Sequence, residues 1–146
     1  MARVSAASSV VYFADENLLG MGKLLCRAGR QDVLHPGHEA VPEIPRGTAD
    51  LDWMPVVGSR GFVVLSRDRR IRTRPVELRA YWEHGIRSVW LGAKQDMSPP
   101  QHVELFLRHE ARLLREITKR GAGPWALAMS PSGIRPLLLR EPDGPT

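Results

Sequence analysis

A chain of 146 residues, 42% hydrophobic and 25% charged, can bury a sizeable core, and its composition excludes a disordered or low-complexity protein. The formal charge of +5 and pI near 10.1 favour an acidic partner such as nucleic acid, because Lys and Arg neutralise phosphates. A single cysteine, Cys26, excludes an intramolecular disulfide, and no apolar run approaches membrane-spanning length, so no membrane association and a cytoplasmic location are expected.

In chain order, residues 1–9 read as a flexible N-terminal segment, 10–140 as one domain and 141–146 as a polar tail. The run Val10-Val11-Tyr12-Phe13-Ala14 has the near-continuous apolar character of a strand buried on both faces, and it stops at Asp15-Glu16-Asn17. Leu18, Met21, Leu24, Leu25 and Ala28 then recur at helical spacing up to Gly29. A short strand over 32–35 follows. Residues 36–47, with three prolines and two glycines, predict a loop. A helix is expected from Thr48 or Asp50, with Pro55 tolerated only in its first turn and Gly58 to Gly61 breaking it.

Gly61-Phe62-Val63-Val64-Leu65-Ser66 is a second buried strand, and it too runs into a carboxylate, Asp68. Arg74-Pro75 predicts a helix start, Gly85 its end, and residues 88–91 another strand. Ser98 and Gln101 have capping-box spacing and open a long amphipathic helix, with Val103, Phe106, Leu113 and Ile117 as its main apolar face and Leu105 off it. Residues 125–129 and 134–139 predict a terminal strand pair. This alternation implies a three-layer α/β/α domain on a mainly parallel central sheet. Tyr81 and Trp82 are adjacent, so one of them, together with Leu105, is expected to face a partner protein or a second copy of the chain in a homodimer.

Parallel strands place Asp15 and Asp68 on one sheet edge, and the intervening helix can bring Asp50 or Asp52 to it. Clustered carboxylates need a cation, and their hard oxygens select Mg2+ or Mn2+, an arrangement suited to phosphodiester hydrolysis. The arginines flanking Asp68, namely Arg67, Arg69, Arg70 and Arg72, are candidates for holding RNA phosphates. The four tryptophans read as core, and His35 and His38 as loop residues. A phospho-receiver would also end strands at acids, but it would need a Lys-Pro pair after the last strand, which is missing.

Phe13-Ala14-Asp15-Glu16-Asn17-Leu18, Asp50-Leu51-Asp52-Trp53 and the segment from Gly61 to Arg72 together resemble the PIN-like domain, in the branch related to VapC-type toxin ribonucleases. The resemblance covers residues 10–117. It implies a PIN-like fold and a Mg2+- or Mn2+-dependent ribonuclease acting on RNA, neutralised by an antitoxin protein. Its acids map to Asp15, to Asp50 in preference to Asp52, and to Asp68. The sequence departs from the wider pattern in lacking a fourth acid directly after the 88–91 strand. Asp96 lies past that strand's end, and Glu16 could substitute. The departure leaves open a one-metal enzyme or a catalytically inactive binding module of the same fold.

Overall fold

The computed structural model of the chain describes residues 9–67 and 74–142. Asp68, Arg69, Arg70 and Arg72 lie outside the described residues, as do residues 1–8 of the N-terminal segment and 143–146 of the tail. The elements in order are β1 (Tyr12–Ala14), α1 (Leu19–Arg27), β2 (Val33–Leu34), α2 (Asp50–Arg60), β3 (Val63–Ser66), α3 (Pro75–His84), β4 (Arg87–Leu91), α4 (Pro99–Arg120), β5 (Trp125–Ser130) and β6 (Gly133–Leu137). A 3-10 turn over Glu16–Leu18 joins β1 to α1.

The strands form one sheet in the order β2-β1-β3-β4-β5-β6, parallel throughout except for the antiparallel β5–β6 pair. Strand residues alternate between two cores, as side-chain direction in a strand requires. Tyr12, Ala14, Val63, Leu65, Val89 and Leu127 face α1 and α4, while Phe13, Val64, Trp90 and Ala128 face α2 and α3. The result is the three-layer α/β/α arrangement, with both sheet faces covered and apolar, which is why the strands read as unbroken hydrophobic runs.

On the α4 side, Arg30 locks the layers together. Its guanidinium meets Asp32 at 2.8 Å and Glu110 of α4 at 2.6 Å, and it lies over the Phe106 ring. The predicted capping box is present, with Gln101 N–H donating to Ser98 Oγ and Ser98 N–H to Gln101 Oε1.

Three local expectations are corrected. Pro55 sits beyond the first turn of α2, where the carbonyl left without its helical donor belongs to Leu51, an exposed residue. Gly58 does not break the helix either. It is the point where α2 crosses the end of α3, and a Cβ there would collide with the His84 carbonyl, so α2 continues to Arg60 and ends at Gly61 in the left-handed conformation, φ 68°. Leu105 is buried, because the inward face of α4 centres on His102, Phe106 and Leu113 and reaches Leu105 at its margin. Leu107 is the large apolar side chain exposed on that helix, Tyr81 is fully buried and Trp82 is half-buried.

Candidate functional site

The carboxyl edge of the parallel strands carries the acids. Asp15 directly follows β1; its N–H donates to the Leu65 carbonyl of β3, and its Oδ1 accepts the Asn17 N–H at 3.1 Å. Only 3% of its surface is exposed. Asp15 thereby caps the 3-10 turn and stands at the seam between β1 and β3.

Asp50 opens α2, and its Oδ1 accepts the indole N–H of Trp53 at 3.2 Å. Trp53 in turn packs its ring 5.3 Å from that of Phe13 on β1. Trp53 thus ties the start of α2, and Asp50 with it, to β1. The Tyr81 side chain on α3 is fully buried. Burial first, and then the charges of Asp15 and Asp50, push this phenol well above its usual range. Tyr81 OH, Ser88 Oγ and Trp90 Nε1 share that interior close to one another, but none is aligned into a hydrogen bond.

The remaining candidates point elsewhere. Asp52, two residues along α2 from Asp50, is exposed, as the helical rotation between them requires. Glu16 is engaged with the 35–49 loop, accepting the Gly47 N–H and pairing with Arg46 at 3.2 Å. Asp96 lies in the loop after β4, its side chain fully exposed and 3.7 Å from Arg67. Of the arginine run, Arg67 is described, and its N–H donates to Asn17 Oδ1 at 3.1 Å. Among the described residues no three His, Cys, Asp or Glu side chains cluster as a metal site. His35 and His38 contact each other in the loop, and three of the four tryptophans, Trp53, Trp90 and Trp125, are buried.

One residue of this edge was missed by sequence reasoning. His102 falls on the inward line of α4 with Phe106 and Leu113, and it is buried beside Arg67. Burial and then the Arg67 charge hold its imidazole below the usual histidine range. The available signal was a histidine occupying an apolar position of an otherwise regular face.

Among the described residues no helix is long and apolar enough to cross a membrane. No curated protein and no solved structure matches the chain. The family model described as a PIN like domain matches residues 10–93, more than half of the chain and the span that carries β1 through β4 with both placed acids. The chain belongs to the PIN-like domain family, whose members are in general nucleases that use divalent metals.

Proposed function

We propose that this protein is a metal-dependent endoribonuclease of the branch related to VapC-type toxins, acting as the toxin of a toxin-antitoxin pair. The observation that supports the reading is the position of Asp15 directly after β1 and of Asp50 at the start of α2, whose Trp53 packs on Phe13 of β1. The donor set suits the ion. Two aspartates offer only hard oxygens, and Mg2+ binds through one or two carboxylates while keeping waters and accepting phosphate oxygens. Asp15 and Asp50 would hold it, with Asp68 of the sequence motif as a third acid. When bound, the ion supplies Lewis-acid activation of the scissile phosphate and of an attacking water.

The chain's own residues do the rest. Asn17 fixes the Asp15 carboxylate through its N–H, and Trp53 fixes that of Asp50. Arg67, aided by Arg69, Arg70 and Arg72 of the sequence run, draws the RNA backbone to this edge. RNA as substrate, an antitoxin protein, a homodimer and a cytoplasmic location belong to the same proposal. A catalytically inactive binding module is the second reading, favoured by the pairing of Asp96 with Arg67 rather than with the acids.

The test is cleavage of single-stranded RNA by the purified chain with Mg2+ or Mn2+, and with a chelator. Asp15→Asn and Asp50→Asn should each abolish metal-dependent cleavage, and Asp52→Asn should retain it. Cleavage that survives the first two substitutions overturns the assignment, and metal-dependent RNA binding without cleavage supports the inactive module.

A further inference from the structure

Beyond the acids, the same sheet edge opens into a cleft of about 830 Å3, bordered by Asn17, Arg67, Lys94, His102, Ser130 and Arg135. Among the described residues, three permanent cations, Arg67, Lys94 and Arg135, border this hollow. Asp96, the carboxylate on its rim, is fully exposed and 3.7 Å from Arg67, a geometry in which an ion pair contributes little. His102 is only 5% exposed and borders the same cleft. The first turn of α4 at this wall contains no acid.

Asn17 joins the cleft to the acids. Its N–H holds Asp15, its side chain accepts from the Arg67 N–H, and it forms part of the cleft wall. A strand whose scissile phosphate lay at Asp15 would continue along this wall.

We infer that the cleft is a phosphate subsite for single-stranded RNA, in which Arg67, Lys94 and Arg135 hold a backbone phosphate beside the scissile one and His102 donates a ring N–H to it. The identity of the strand rests on the nuclease reading; the subsite itself does not require cleavage. It occupies the region where the wider family pattern has a fourth acid, so this chain uses that wall for anchoring substrate.

The test is fluorescence anisotropy with a labelled oligouridylate and the full chain carrying Asp15→Asn, in chelator, across a salt series. Lys94 and Arg135 are exposed, so Lys94→Gln with Arg135→Gln should leave the fold intact. Losing the neutralisation of this one phosphate should make the slope of log affinity against log salt shallower by up to about 0.7, with a matching loss of affinity. The effect should be the same for every RNA sequence and for strands with or without a terminal phosphate. The His102 ring resonances should move as RNA is added, while those of His84, at the opposite sheet edge, stay fixed. An unchanged slope, a requirement for a terminal phosphate, or no RNA binding by the parent chain overturns the subsite. Intact cleavage by a Lys94→Gln, Arg135→Gln chain with that unchanged slope leaves the nuclease reading standing, whereas a shifted slope in a chain that never cleaves removes only the nuclease reading.

Discussion

Trp53 donates its indole N–H to Asp50 Oδ1 at 3.2 Å while its ring packs on Phe13, so one side chain both closes the core and orients a carboxylate. Replacing it with Phe keeps much of the packing and removes the donor. Trp53→Phe should cost about 1–3 kcal/mol of stability. Metal-dependent cleavage should fall roughly 10–100-fold, the usual effect of losing a partner that orients a ligand. Urea titration beside cleavage kinetics checks both; activity that merely tracks the folded fraction would show that Trp53 is structural only.

At the crossing of α2 and α3, Gly58 leaves no room for a side chain against the His84 backbone. Gly58→Ala should therefore destabilise by about 1–3 kcal/mol, although alanine is the better helix former. Gly92 has open space around it, and Gly92→Ala should change stability by less than about 0.5 kcal/mol. Thermal melts of the pair decide it, and equal melting temperatures would refute the packing argument.

Leu105 and Leu107 lie two residues apart on α4, one buried and one half-exposed. Leu105→Ala should cost about 2–5 kcal/mol, and Leu107→Ser should be nearly neutral for folding. If Leu107→Ser instead shifts the sedimentation of the chain, that helix face serves in self-association.

His102 gives a pH dependence whose sign follows from its burial. Desolvation and Arg67 hold its folded pKa below the ordinary histidine value of 6.5, so as pH falls the unfolded chain takes up the proton first. Stability is complete above pH 6.5 and declines as pH drops from there toward the folded value. His38, also lowered by burial and by neighbouring His35, contributes with the same sign. Denaturation midpoints from about pH 8 to about pH 5 should show the decline, with His102→Asn flattening it. An identical decline in that variant assigns the effect to His38 alone.

The sheet was legible because a strand buried on both faces has no polar face to interrupt it, as in Tyr12–Ala14 and Val63–Ser66. The α4 start was legible because a capping box is a local device. Leu105 was misplaced because Val103 was taken as central to the apolar face, whereas the buried line runs through His102. The role of Gly58 was hidden because it depends on a residue 26 positions away, and no local pattern reports a helix crossing. Of the site, the placement of Asp15 at the β1 end was readable from the strand's end. The side chains that hold Asp50 and border the cleft came only from the tertiary arrangement.

The two outermost strands of the sheet differ from the rest. β2 contributes two residues, and β6 carries Pro136, which brings no N–H to its edge. A neighbouring polypeptide therefore finds little backbone to copy at either margin. Growth of the sheet by strand addition is disfavoured at its borders, which leaves recognition by shape and charge of side chains as the readier route to assembly.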